Sequence, residues 1–458
     1  MTADAMTSPL RRRVSSAGFW SMSQFGAQLA LRMISNMILT RLLLPEAFGL
    51  MAVVGVLTVA LALFSDLGIG QNVIVHKRGG EPLFLNTAFT VQVIRGFVIW
   101  TLAIVAALII AMLAPLGVFA ADTVYMDPRL PAVLVAGSFG VVLQGFESTR
   151  IHEARRNLQL RRLTEMEFGV QMVALVATVG LTWVWPSIWS LVLGSLASAL
   201  ARTVASHIVL PGQRNRIGWD TSAWWDIFGF GRWIFLSSLI GVLFTTGDRL
   251  LLGGLVDANT MGLYAIAGLL LSVFQMAVNT LSSSVVFPAL SELARGDLGA
   301  FRKAYFPFQG GIDALLGLAA GGLYVTAPLI VSILYDPRYA ESGQMLAILS
   351  VGLIGMRFCV VEQCYMARNR MKYYLASNMA RLIVLAIGLP VGHMLGGVQG
   401  ALWGIVAAQF AGWPIAVLFK LRYGLVDWRF ELLPLPAIGL GLLLGEGVVL
   451  LAPSIGLS

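Results

Sequence analysis

Residues Gly18 to Arg78 read GFWSMSQFGAQLALRMISNMILTRLLLPEAFGLMAVVGVLTVALALFSDLGIGQNVIVHKR. Two apolar runs, 15–40 and 47–66, are separated by a short polar break, and the second is followed by a basic cluster. Each run is long enough to cross roughly 30 Å of hydrocarbon at 1.5 Å per residue. Neither alternates with period two, so both read as helices and not as barrel strands. In the first run Gln24, Gln28, Arg32 and Asn36 recur every fourth residue and make one polar stripe on an apolar helix. A guanidinium in mid-span is costly and points to a partner or a hydrated cavity.

The same pattern continues along the chain. Thirteen spans are expected, at 15–40, 47–66, 83–113, 130–149, 165–184, 187–210, 224–252, 260–289, 307–334, 343–365, 374–394, 398–419 and 432–450. With Arg11 to Arg13 cytoplasmic, the breaks on that side hold 21 of the 31 Lys and Arg residues, and the other side holds only Arg41, Arg129 and Arg338. That bias orients the chain, with its N-terminus cytoplasmic and its C-terminus periplasmic. The remaining seven, Arg32, Arg95, Arg202, Arg232, Arg249, Arg357 and Arg381, lie inside spans. Arg95 and Arg381 are deep enough to face protein, whereas Arg202 and Arg232 are placed to snorkel. The basic stretch STRIHEARRNLQLRRL, containing Arg150 to Arg162, reads as a short amphipathic helix at the lipid surface. Trp183, Trp185 and Trp189 mark the outer interface.

Composition agrees with a polytopic all-α membrane protein: 58% hydrophobic, 12% charged, mean hydropathy +0.82. The net charge of +8 follows topology and forms no continuous soluble face, which excludes nucleic acid as a partner. The basic N-terminus precedes a span too long for a signal peptide and is expected to stay as part of the first helix. Cys359 and Cys364 give no disulfide framework, and the four histidines show no metal spacing. The GIG beside Asp66 is not a phosphate-binding loop, no catalytic grouping assembles, and the longest outer loop, Ala114 to Arg129, is too short for a catalytic domain.

An internal repeat appears at an offset of 213: Gly18, Trp20, Gly49, Leu50, Gly55 and Leu57 map onto Gly231, Trp233, Gly262, Leu263, Gly268 and Leu270. Gly137, Gly140 and Glu147 match Gly352, Gly355 and Glu362 at 215, and Ala154 and Arg155 match Ala367 and Arg368 at 213. Six spans separate the copies, so the halves run the same way, as parallel repeats do. The expected organisation is an N-lobe over 14–210, a cytoplasmic linker over 211–223, a C-lobe over 224–420 and an additional C-terminal helix at 432–450.

Polar residues inside the spans nominate a site. Arg32, Arg249, Arg95 and Arg381 are the candidate cations, and Gln24, Gln28, Asn36, Thr245, Asp248, Gln275 and Asn279 the candidate polar lining. The amides and hydroxyls serve equally as hydrogen-bonded glue between helices. Asp248, beside Arg249 near an outer end, suits a local ion pair. Asp66, Glu147, Asp313 and Glu362 are candidates to carry a coupling proton or, equally, to neutralise nearby arginines, and Glu446 is a further carboxylate within a span. A guanidinium-lined cavity suits an anion, diphosphate above all.

The segment Gly18 to Arg78 resembles the opening of Wzx-type bacterial polysaccharide flippases, of the multidrug/oligosaccharidyl-lipid/polysaccharide exporter superfamily. Phe84 to Gly96, FLNTAFTVQVIRG, is similar to that family's third helix, and Phe230 to Leu255, FGRWIFLSSLIGVLFTTGDRLLLGGL, to its seventh. The resemblance implies two six-helix lobes in the bacterial inner membrane. It implies movement of an undecaprenyl-diphosphate-linked oligosaccharide between leaflets, with the cationic cavity positions falling on Arg32 and Arg249, then Arg95 and Arg381. No cofactor and no enzymatic activity are expected. A proton or sodium ion is a possible coupling ion, and the expected partners are the bilayer, the lipid-linked glycan and a polysaccharide polymerase or other assembly proteins. Relatives with 12 or 14 helices bracket the 13 expected here. Two alternatives remain open at this point, an ion-coupled multidrug or small-solute antiporter of the same superfamily and a membrane-embedded polymerase or ligase.

Overall fold

The computed structural model describes residues 26, 28–63, 69–120, 122–157, 159–294, 298–368 and 370–455, with side chains outside the description at 230–245 and a few other positions. The expected Gln24 and Asp66 lie outside the described residues, as do the side chain of Thr245 and the earliest matches of the repeat.

Helices account for nearly all of the described chain. They are α1 (28–42), α2 (Pro45–Leu63), α3 (Ile69–Val75), α4 (Pro82–Leu113), α5 (Leu130–Gly145), α6 (Arg150–Arg156), α7 (Leu160–Val184), α8 (Ile188–Ile208) and α9 (Thr221–Gly253). There follow α10 (Ala258–Leu281), α11 (Phe287–Leu293), α12 (Leu298–Leu334), α13 (Glu341–Gly355), α14 (Cys359–Ala367), α15 (Met371–Phe410), α16 (Trp413–Tyr423), α17 (Trp428–Glu431) and α18 (Pro434–Leu451). Local chemistry sets their starts. Pro82 opens α4, where a missing N–H costs nothing, while Ser187 and Asp257 cap α8 and α10 by accepting from Trp189 and Thr260 backbone N–H groups. Large apolar side chains such as Leu108, Met112, Trp183 and Ile387 stay exposed, as a lipid-facing surface requires.

Among the described residues nine helices are long and apolar enough to cross a membrane, or ten if α5 and α6, bent by 61°, form one broken span. One of the nine, Met371–Tyr423, covers two expected spans. The chain breaks between them at Gly396 and Gly397, where Gly397 takes φ of 58°, open to glycine and strained for other residues. The chain is a multi-pass membrane protein.

Two compact units divide the chain, one ending at Val242 and the other beginning at Leu243. In the first, α4 packs on α5, α5 on α8 and α7 on α8. The segment expected as the linker lies against this unit: Asn215 Oδ1 accepts from Ser148 and Thr149, Gly218 and Asp220 backbone N–H groups donate to Thr90 and Thr87, and Arg78 reaches Asp220 at 3.0 Å and Asp226 at 3.2 Å. Ala223 and Ile227 close a core with Ile69, Val73, Phe84 and Leu85.

In the second unit α12 lies between α13 and α18. A side chain at Gly441 would meet the Leu318 carbonyl at 2.6 Å, so glycine there lets α18 approach the α12 backbone. A buried charge network fastens the same region. Arg357 grips Asp313 at 2.7 and 3.1 Å and Glu431 at 3.2 Å, and Lys420, only 2% exposed, adds a 2.8 Å bond to Glu431. Asp313, a candidate coupling carboxylate, is therefore held in an ion pair.

Candidate functional site

The second unit contains a cavity of about 290 Å³ lined by Asp248, Arg249, Tyr264, Gln275, Asn279, Glu362 and Arg381, among others. Six of those seven were nominated from the sequence. Helix α10 supplies one wall: Tyr264, Gly268, Leu271, Gln275 and Asn279 recur every three or four residues and so share a face. Glu362 comes from α14 and Arg381 from the first half of α15, and they pair at 2.7 Å with both side chains largely buried. Asp248 accepts a short hydrogen bond from the Tyr264 hydroxyl. Arg249 enters the cavity with no ion-pair partner among the described residues. The guanidinium of Arg381 is thus neutralised in place.

The first unit has its own cavity, about 550 Å³, lined by Thr58, Gln92, Arg95, Gln144, Glu147, His152 and Arg155, among others. Arg95 donates to the Ala62 carbonyl at 3.1 Å. Glu147 is held by Arg202 at 3.1 Å, and the same guanidinium binds Glu167 at 3.0 Å. Arg202, expected to snorkel, instead bridges two carboxylates, because α8 packs against α7, which carries Glu167, and against α5, just beyond whose end Glu147 stands.

The first span's stripe stands elsewhere. Arg32 is exposed on α1, Gln28 and Asn36 are half-buried, and Asn36 donates to the Arg32 carbonyl at 2.8 Å. None of the three lines either cavity. Glu446 is exposed on α18.

Sequence reasoning missed Tyr264, His152 and Arg155. The i, i+4 spacing of Tyr264 with Gly268 was a usable signal, and so was the repeat match of Arg155 to Arg368. The reading of the Arg150 to Arg162 stretch as a lipid-surface helix needs correction. Arg150 is 8% exposed and donates to the carbonyls of His207, Leu210 and Gln213, while Arg156 donates to those of Val73 and His76. Both close the C-terminal ends of neighbouring helices, where carbonyls lack helical partners.

Known proteins give this geometry a context. The lipopolysaccharide biosynthesis protein WzxC of Escherichia coli (strain K12) is 22% identical over 406 residues, spanning 87% of this chain and 79% of that protein. An inward-facing multidrug resistance transporter of the MATE family, MOP superfamily, superposes with a TM-score of 0.67 at 14% identity, covering 87% of this chain and 94% of that one. The lipid II flippase MurJ, in an inward closed conformation, superposes at 0.64 with 12% identity, covering 95% and 99%. These two likenesses establish a shared fold. The family model described as polysaccharide biosynthesis protein matches residues 38–344, about two thirds of the sequence, and the chain belongs to that family.

Proposed function

We propose that the protein flips an undecaprenyl-diphosphate-linked oligosaccharide from the inner to the outer leaflet of the bacterial inner membrane, for exopolysaccharide, capsule or O-antigen biosynthesis. The observation that carries this reading is Arg249, a guanidinium that forms no ion pair among the described residues, in a polar cavity at the end of an otherwise apolar span. A cation so placed favours a multiply charged anion such as diphosphate, whose oxygens its planar fork can hold in pairs. Family membership in polysaccharide biosynthesis supplies the pathway, WzxC is a relative named for lipopolysaccharide biosynthesis, and MurJ shows that the fold supports lipid flipping.

In this reading the N-terminus is cytoplasmic and the C-terminus periplasmic, and the lobes 14–210 and 224–420 move to give alternating access. A multidrug antiporter shares the fold, but a guanidinium that forms no ion pair among the described residues disfavours the organic cations that such pumps carry. The test is complementation of a deletion strain with Arg249→Ala. Membrane levels should stay within about twofold of wild type while glycan export falls at least about tenfold, the size expected from losing one charge-assisted phosphate contact. Lipid-linked oligosaccharide should accumulate. Wild-type export by this variant would remove Arg249 from the site.

A further inference from the structure

The stretch from Gln213 to Phe228 has two faces. Inward, Asn215 Oδ1 accepts from Ser148 and Thr149, the Gln213 carbonyl accepts from Arg150, and Arg78 holds Asp220 at 3.0 Å and Asp226 at 3.2 Å. Outward, Arg214, Arg216, Ile217 and Trp219 are exposed, Ile217 at 76% and Trp219 at 51%. The backbone between them is fixed, because the Arg216 and Gly218 N–H groups donate to Asn86 and Thr90. Holding a segment with its isoleucine and tryptophan turned outward is costly in water and favourable at a membrane surface.

Charge distinguishes the outer face. Asp220 and Asp226, the carboxylates of the stretch, are both engaged by Arg78, whereas neither the Arg214 nor the Arg216 guanidinium forms an ion pair or hydrogen bond among the described residues. The face therefore presents two cations beside apolar side chains. Its aromatic surface runs on into α9, with ring centroids 5.2 Å apart for Trp219 and Trp224, 5.6 Å for Trp224 and Phe228, and 6.0 Å for Phe228 and Trp225. The stretch joins α8, a candidate span, to the part of α9 that reads as the next one, so it stands at a membrane face. A soluble acidic partner would match the arginines and leave the apolar side chains in water, and a purely apolar partner would strand the guanidinium groups. A leaflet with anionic headgroups satisfies both.

We propose that Arg214, Arg216, Ile217 and Trp219 form a binding site for anionic phospholipids of the surrounding bilayer, the arginines on the headgroup phosphate and the apolar side chains at the top of the acyl region. The lipid-surface role expected of the Arg150 to Arg162 stretch passes to the segment that Arg150 helps to hold, through its bond to the Gln213 carbonyl. The ligand is bulk phospholipid and not a transported molecule. The site needs only that this loop meets the membrane, and it does not rest on the transport reading.

The experiment places a fluorophore on Ile217→Cys, the native Cys359 and Cys364 being buried, in the full-length protein in nanodiscs of mixed phosphatidylglycerol and phosphatidylcholine. One lipid or the other carries a nitroxide near its headgroup. Labelled phosphatidylglycerol should quench as though bound at least about tenfold more tightly than phosphatidylcholine, the size expected of two basic groups at an anionic surface. The Arg214→Gln, Arg216→Gln double variant should lose that preference while melting with wild type, because neither guanidinium bonds within the described protein. Salt at about 1 M should weaken the preference by screening. A fluorophore on Trp183→Cys, 78% exposed at the end of α7, should show no preference. Quenching by neither lipid would put the segment in water, and equal quenching by both would remove the arginines from headgroup recognition. A preference that survives the double variant, or appears equally at position 183, would belong to the bilayer as a whole. Any of these overturns the proposal, as does displacement of the lipid by soluble glycerol phosphate. Because lipid contact is read and not export, these outcomes stand apart from those of Arg249→Ala.

Discussion

Arg150 and Arg155 sit five positions apart in one basic stretch, and the first is buried while the second is exposed. Arg150 is buried and satisfies carbonyls at the end of α8, at 2.5 Å to His207 and 3.1 Å to Leu210. Removing it leaves those acceptors buried without a donor, which costs on the order of 1–3 kcal/mol. Arg150→Ala should therefore lower the melting temperature of the detergent-solubilised protein, by more than Arg161→Ala, whose partner Glu165 is exposed. Equal melting temperatures for the two variants would return Arg150 to the lipid surface. None of this was legible in the stretch itself. A run of arginines announces its side of the membrane through its count, but the carbonyls that Arg150 binds lie 57 and 60 residues away. The in-span arginines were legible as exceptional because a charge among twenty apolar residues has no ordinary explanation.

Among elements, the apolar runs could be read directly and their breaks could not. Hydropathy locates α2, α4 and α8 within a few residues, since crossing a bilayer demands length and apolarity together. The bend between α5 and α6, and the stretch from Pro211 to Asp220 docked on the first unit, depend on distant side chains. The segment's hold is testable through pH. The hydrogen bond from Arg78, aided by Ser222, keeps the Asp220 carboxyl below its ordinary value of 3.8. A depressed carboxylate stabilises the fold fully above its unfolded-state value and ceases to do so as pH falls through the lower folded-state value. Limited proteolysis of 211–220 should thus stay slow at pH 6 and accelerate below about pH 4. Asp220→Asn should be cleaved faster at pH 6 and lose this acid dependence. Cleavage of wild type that is indifferent to pH would show that the backbone bonds to Thr87 and Thr90 suffice.

For the whole molecule, the repeat foretold that Glu147 and Glu362 are equivalent, and each indeed lines its unit's cavity. It did not foretell their partners, because pairing is decided by helices outside the matched residues: Arg202 of α8 in one unit, Arg381 of α15 in the other. The consequence is a division of in-span arginines into paired ones, Arg202, Arg357 and Arg381, and Arg249, which forms no ion pair among the described residues although Asp248 precedes it. These classes should respond differently to substitution. Removing one member of a buried pair strands the other charge at a cost of about 3–5 kcal/mol, whereas removing both leaves little to solvate. Arg381→Gln and Glu362→Gln should each reduce membrane level and melting temperature, and the double variant should recover most of both. Arg249→Gln should leave them near wild type with no second substitution needed, while abolishing export. A double variant no better than the singles would mean that Arg381 and Glu362 are valued for their contacts with the cavity and not for each other, and would move Arg381 back among the groups that meet the substrate.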